Sequence, residues 1–469
     1  MNAAPRIVLA TSNGTGMGHL ARQAAVGIAL GDRAEPVVFS LSTAVHVVGR
    51  HGLRAEYCPS HHRGWMPHMV WHRYLGERVG ALLEETAARV FVFDGVSPYL
   101  GLLRARAAHP DVAFVWVRRG MWRAGANERA LAARPFFDLV VEPGDIASDA
   151  DAGATSSLED AVRVPPITVL EQAPLLSRAE ACAALGLDPD RPAALVTLGA
   201  GSINDVVTPA VEAIRAFLAD PDWQVAVTRA PLAKAGLPAA DAARVRELVD
   251  VYPLARYLSA FDAAVSAAGY NAVHELLPAR VPTVLVPNLS TATDDQLTRS
   301  QWAADVGLAL RADGSPGSIE SAVKGLLDPA TRERLRLLCA QLPAHTGASA
   351  TASLLSELAQ TFDGHRASTG ERLRTVDLAA RAAAMRGLGP HGTTLVRRAL
   401  GRVAVAGPSR PLAIHPVVTE DLNPAVLMAD HPVEHILPGT SPAYRTRRME
   451  IARDAYRWPE NATPVATPA

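Results

Sequence analysis

A chain of 469 residues, 49% of them hydrophobic and 20% charged, can bury large cores and reads as two or three globular domains rather than a disordered or fibrous protein. With 46 basic against 47 acidic residues the net charge is −1, so no overall field recruits nucleic acid or a membrane surface, and a polyanionic partner is not expected. Cys58, Cys182 and Cys339 are odd in number and far apart, which argues against both a disulfide framework and a zinc site.

Arg6 to Ala10 reads as a buried strand, Thr11 to Gly18 as a glycine turn, His19 to about Leu30 as a helix and Pro36 to Ser40 as a second strand. The chain thus begins with a βαβ unit. A dinucleotide fingerprint fails here, because position 19 is His where that pattern continues towards Gly, and no acid ends the second strand. What stands in its place is G-x-G-H-x-x-R, formed by Gly16, Gly18, His19 and Arg22. A histidine at a helix N-terminus is kept neutral by the helix dipole, the form needed to deprotonate a hydroxyl. The plainer alternatives for His19 are a helix cap or a phosphate contact.

Two further strands follow, Arg89 to Asp94 and Val112 to Val117, the second running into Arg118-Arg119-Gly120. In a parallel sheet these ends open on the cleft that holds the glycine turn, so Asp94 is placed to orient His19; a turn or cap role is the alternative. Lys234 and Lys324 are the only lysines, so arginine supplies nearly all positive charge and a single arginine is weak evidence for phosphate binding. The stretch from His61 to His72, with Trp65 and Trp71, reads as a loop suited to stacking on a sugar or an apolar acceptor, or else a surface loop with a packed Trp. His68 and His72 are spaced i, i+4, but no carboxylate completes a metal pattern, and no metal site is expected.

Val164-Pro165-Pro166-Ile167 marks an interdomain linker. Beyond it, Ala193 to Leu198 is a strand ending in Gly199-Ala-Gly201-Ser202, with a helix expected to hold Asn204 and Asp205 in its first turn. Trp223 to Thr228 and Leu248 to Tyr252 are further strands. Asp262 to Ser266 is another, after which Ala268-Gly269-Tyr270-Asn271 opens a helix closed by Pro278, and Thr283 to Val286 is the next strand. A helix N-terminus at that strand end offers unpaired N–H groups to a phosphate. Glu275, one helical turn on, can take both hydroxyls of a ribose, and Asp294-Asp295-Gln296 follows the next strand. Residues 314–361 and 374–402 read as helical, 408–442 as proline-rich and 444–458 as a basic helix.

The succession Ser266, Gly269, Glu275, Val286-Pro287, Asp295-Gln296 resembles the donor half of GT-B glycosyltransferases of the MurG and UDP-glycosyltransferase type. The G-x-G-H-x-x-R loop is similar to the first loop of those enzymes and to that of UDP-sugar hydrolases of nonulosonic acid pathways, where the His is associated with catalysis. The resemblance spans roughly residues 6 to 360 and is strongest from 248 to 310.

It implies an α/β protein of GT-B type, with two Rossmann-like domains whose parallel sheets face a central cleft. Residues 1–165 would form the acceptor domain, 166–362 the nucleotide-sugar donor domain, and 363–469 a C-terminal extension without assigned role. His19 and Asp94 would be catalytic. Gly16, Gly18, Gly199, Gly201, Ser202, Ser266, Ala268, Gly269, Tyr270, Asn271, Glu275, Asp295 and Gln296 would bind the donor, with Tyr252 where the family holds the base.

The expected activity is inverting, metal-independent transfer of a sugar from a nucleotide diphosphate donor, expected to be UDP-linked, to the hydroxyl of a small-molecule, glycan or lipid-linked acceptor. Beyond that nucleotide-sugar co-substrate no cofactor is expected. Hydrolysis of the UDP-sugar and non-catalytic nucleotide-sugar binding are the alternatives. No signal peptide or membrane span is read from the sequence, because Ile7 to Ala10 runs into a glycine turn and no apolar run approaches the ~18 residues a span requires. A cytoplasmic location is expected, with peripheral membrane contact and a protein partner of the extension left open.

Overall fold

The computed structural model describes residues 4–12, 17–60, 68–199, 204–229, 237–369, 371–372 and 437–456. The first sheet contains β1 (Arg6–Thr11), β2 (Glu35–Ser40), β3 (Arg54–Tyr57), β4 (Val90–Asp94), β5 (Ala113–Val117), β6 (Leu139–Pro143) and β7 (Val162–Val164). The second contains β8 (Ala193–Thr197), β9 (Gln224–Arg229), β10 (Arg246–Val249), β11 (Ala263–Ala267), β12 (Thr283–Val286) and β13 (Leu310–Arg311). All pairings are parallel, in the orders β3-β2-β1-β4-β5-β6-β7 and β10-β9-β8-β11-β12-β13. The central strands are near-continuous runs of Val, Ile, Leu, Ala and Phe because helices cover both faces, which removes the alternation of a half-exposed sheet.

On the first sheet pack α1 (Gly18–Leu30), α2 (His68–Thr86) and α3 (Leu100–Ala108). After the linker come α4 (Arg178–Leu185), α5 (Val207–Phe217), the short α6 (Ala239–Ala242), α7 (Tyr270–Leu276), α8 (Gln296–Asp305), α9 (Ser318–Leu327) and α10 (Pro329–Cys339). The chain then returns to the first domain. Helix α11 (Gly347–Thr361) lays Ala348, Ala352, Leu355 and Ala359 into the core beneath α1. Helix α12 (Pro442–Tyr456) joins Tyr444, Ile451, Ala452 and Ala455 to the core around α2. Residues 347–362, expected in the second domain, are therefore part of the first in space, and His365 beyond them contacts Asp138 at 2.6 Å.

Four local expectations need correction. His68 to His72 open α2 instead of continuing a loop, and Trp71 is 2% exposed with its indole N–H donated to Pro59 O, so it fills the core and is not free to stack on a ligand. Trp65 lies outside the described residues. Strand β10 ends at Val249, because Asp250 adopts a left-handed φ of 55° that breaks the extended backbone, and Tyr252 falls past it. Asn204 and Asp205 precede α5, where the Asp205 carboxylate accepts from the amides of Val207 and Thr208.

Candidate active site between the two sheets

Each sheet reverses its strand order beside its first strand, between β1 and β4 in one and between β8 and β11 in the other. Ligands of open α/β sheets gather at the carboxyl ends of the strands at such points. His19 and Asp94 meet at the first of these points, and at the second Ser266 lies in β11 with Ala268 and Gly269 just past it. Thr11, the last residue of β1, is in register with Asp94, the last of β4, so the helix that follows β1 starts beside that carboxylate.

His19 in the first turn of α1 places Nδ1 2.6 Å from Asp94 Oδ1. Arg22, one turn further, donates from Nε to Oδ2 at 2.9 Å and from Nη2 to Oδ1 at 2.6 Å. Burial alone would raise the Asp94 carboxyl, but Arg22 and His19 outweigh it and hold it below the usual carboxylate range. An ionised carboxylate only accepts, so the contact requires a proton on His19 Nδ1 and leaves a lone pair on Nε2. The 2.7 Å approach of Arg22 Nη2 to the same Nδ1 is then donor against donor and not a hydrogen bond. Desolvation lowers the His19 pKa, and Arg22 and Arg119 add to this against the opposing pull of Asp94.

The second domain meets this group through the start of α7. Asn271 donates from Nδ2 to Gly18 O at 3.3 Å. The Tyr270 hydroxyl donates to Gly144 O and accepts from Ile167 N, both at 3.0 Å, which ties α7 to the linker. Two guanidinium groups stand over its ring, with Arg22 Cζ at 5.2 Å and Arg119 Cζ at 5.3 Å from the centroid.

Gly269 is the N-cap of α7, and a Cβ there would lie 3.9 Å from the Gln296 side-chain nitrogen. Gly199, two residues past the end of the neighbouring strand β8, has φ 92°, a conformation that favours glycine. Gly18 faces open space. Ser266 and Ala268 are fully buried, the serine hydroxyl donating to Ala267 O. Gly16, Gly201 and Ser202 lie outside the described residues.

Glu275 is half-buried on α7 with no side-chain partner among the described residues, and desolvation pushes its carboxyl up to about 8. Tyr252 is close enough to feel its charge, and the buried Tyr252 hydroxyl has no hydrogen-bond partner among the described residues. Asp295 caps α8, accepting from Thr298 N at 3.0 Å and Thr298 Oγ1 at 2.8 Å. Gln296 Oε1 accepts from Asn288 N, and its amide donates to Asp294.

The neighbours that sequence reasoning missed are charged and paired over long separations. Asp294 accepts from Arg119 of the first domain at 3.2 Å and from Arg299 at 2.8 Å, and Arg299 also grips Asp145 at 2.9 Å. Burial would raise Asp294, but Arg299 and Arg119 hold it well below the usual range. Backbone bonds from Arg123 N to Thr293 O and from Asp295 N to Met121 O stitch the two domains together beside this pair. The motif Arg118-Arg119-Gly120 was visible at a strand end, yet in a chain whose cations are nearly all arginine it carried little weight.

No family model matches the chain. A curated relative from Phocaeicola vulgatus, UDP-N-acetylglucosamine--N-acetylmuramyl-(pentapeptide) pyrophosphoryl-undecaprenol N-acetylglucosamine transferase, is 27% identical over 194 residues, covering 40% of this chain and 52% of the relative. The chain thus spans about half the length of the curated relative it matches. Among solved structures, Os79 from O. sativa in complex with U2F and trichothecene is similar with a TM-score of 0.55 at 15% identity, covering 75% of this chain and 100% of that one. The glycosyltransferase SnogD from Streptomyces nogalater gives 0.50 at 20% identity, covering 76% and 100%. With two parallel sheets opening on one cleft and these likenesses in architecture, the chain has the GT-B fold of glycosyltransferases.

Proposed function

We propose that this protein is an inverting glycosyltransferase that moves a sugar from a nucleotide diphosphate donor, UDP-linked in the first instance, to an acceptor hydroxyl. The observation that carries the reading is the His19–Asp94 contact of 2.6 Å at one strand-order reversal, beside which Asn271 brings the N-terminus of α7 from the other. His19 Nε2 takes the acceptor proton while the acceptor oxygen attacks the anomeric carbon from the face opposite the diphosphate. The bond between that carbon and the diphosphate oxygen breaks, and the nucleoside diphosphate leaves with the electron pair. The proton remains on His19, whose charge Asp94 offsets.

The amides at the start of α7 and the turn at Gly199 take the leaving diphosphate, a role that oriented backbone donors fill without a metal. Glu275 takes the ribose hydroxyls, Tyr252 stands by the base, and Gln296 faces the sugar. The curated relative, itself named for transfer from a UDP-sugar, supports this donor class. The test is a time course of UDP-sugar consumption, with and without acceptor alcohols and with EDTA present. Acceptor-dependent, chelator-resistant release of nucleoside diphosphate is expected. Equal release without acceptor would replace transfer by hydrolysis, and loss of turnover in EDTA would end metal independence.

A further inference from the structure

We infer that Arg22 is the positioning residue of this site: it fixes the carboxylate that orients His19, and is itself held from the opposite domain by the ring of Tyr270. The inference rests on the proposed role of His19 as base and adds the group that sets the protonation of that base. Arg22 follows His19 by three residues on α1, so both side chains leave the same face of the helix. Its guanidinium is 2% exposed and grips both oxygens of Asp94, a fork geometry that an arginine supplies and a lysine does not. With two sites taken by Arg22 and one by His19 Nδ1, the buried carboxylate has one orientation.

Charge gives the second half of the argument. A buried Asp94 without a countercharge would draw a proton onto the neighbouring imidazole, and an imidazolium is no base. Arg22 neutralises Asp94, so the imidazole stays neutral while Nδ1–H still points at Oδ1. The arginine also stands 2.7 Å from Nδ1, ready to donate to it should Asp94 turn away, which would move the ring proton to Nε2 and abolish the base. Among the described residues, the charged and titratable groups around the imidazole are Asp94 from β4, Arg22 from its own helix and Arg119 from beyond β5. Tyr270 and Asp294 of the second domain stand behind the two arginines.

The stack on Tyr270 makes this arrangement dependent on both domains. Tyr270 is the first residue of the donor-side helix and is anchored by its hydroxyl to the linker. Arg22 therefore aligns the base only while α7 is in place beside α1.

The experiment is imidazole-nitrogen NMR on the full chain labelled at histidine, with the His19 signals assigned by their loss in His19→Ala. Wild type is expected to show Nδ1–H and an unprotonated Nε2. In Arg22→Gln the titration midpoint should move to higher pH and the Nδ1–H preference should weaken. The acidic limb of the single-turnover rate should move in the same direction, with the neutral-pH rate lowered about 10²-fold, the lower end of what a general base supplies. A folded Arg22→Gln with wild-type His19 midpoint and tautomer would overturn the inference.

Should that variant fail to fold, Arg22→Lys decides. It keeps the charge and loses the fork, so turnover should fall while donor affinity stays within a few-fold, and a wild-type rate would overturn the inference. A wild-type protein that turns over no nucleotide sugar ends the functional reading but leaves the NMR result to stand by itself. An active protein with an indifferent Arg22 does the reverse.

Discussion

His19 and Glu275 are both half-buried titratable side chains facing the cleft, and their surroundings push them in ways that make different measurements decisive. Desolvation first, then Arg22 and Arg119, lower the His19 pKa, so the neutral base persists to lower pH than for an ordinary histidine. Turnover should rise with pH through that lowered value and be flat across neutrality. His19→Ala should reduce the single-turnover rate about 10²–10⁴-fold with donor affinity within a few-fold. A rate within a factor of about three of wild type would end the base role, since a general base contributes far more than that.

Glu275 has its carboxyl raised to about 8 by desolvation, so near neutrality the free protein carries it largely protonated. In the proposed complex two ribose hydroxyls would donate to the ionised form and thus favour it, lowering the pKa and releasing a proton on binding. Affinity should therefore grow as pH rises towards 8 and level off above it. Calorimetry of UDP at pH 7 in buffers of different ionisation enthalpy measures this directly. Absence of proton release would take Glu275 out of the ribose site. Glu275→Ala should abolish the pH dependence and weaken UDP by about 1.5–3 kcal/mol.

At the scale of elements, a buried carboxylate adds to the apolar packing that holds α12 on the first domain. Glu56, fully buried on β3, accepts from the Tyr444 hydroxyl at 2.7 Å and from Arg78 at 2.5 Å, and Arg448 approaches at 3.4 Å. Tyr444→Phe removes a donor from a carboxylate that water cannot reach and should cost about 1–3 kcal/mol in denaturant unfolding. An unchanged midpoint and slope would mean that the Tyr444–Glu56 bond adds nothing to stability.

The same strand shows why part of the fold was hidden in the sequence. Arg54-Ala-Glu-Tyr57 is short and charged, and its pairing with β2 becomes intelligible only when Arg78 arrives from α2 to match Glu56. Helix α2 was obscured by a first turn rich in His and Trp, and β13 is two residues long. The β-branched strands were legible, because local composition dictates them. The contact of His19 with Asp94 was legible too, from a helix start and a strand end that open on the same side of one parallel sheet. The ion pairs of Arg119, Asp294, Arg299 and Asp145 were not, since their partners lie up to 175 residues apart and arginine is abundant.

In the whole molecule the chain crosses between the domains twice among the described residues, at the linker and again just before α11, and the two crossings touch. A Cβ on Gly347 would come 1.9 Å from Pro165 O and 2.6 Å from Pro166 O, closer than any carbon approaches backbone oxygen. The backbone at this pivot must therefore move in Gly347→Ala. Overpacking of this kind costs about 1–3 kcal/mol. The shift also reaches the site, because Ile167 at the linker donates to the Tyr270 hydroxyl, and Tyr270 backs Arg22 and Arg119. Gly347→Ala should thus lower the unfolding midpoint and slow single turnover, although every residue of the cleft is unchanged. Nucleotide affinity should hold within a few-fold, since α7 and the Gly199 turn belong to one domain. A variant matching wild type in both unfolding midpoint and turnover would show that the crossings do not set how the two domains face each other. A loss of nucleotide affinity equal to the loss of rate would instead place the damage within the second domain.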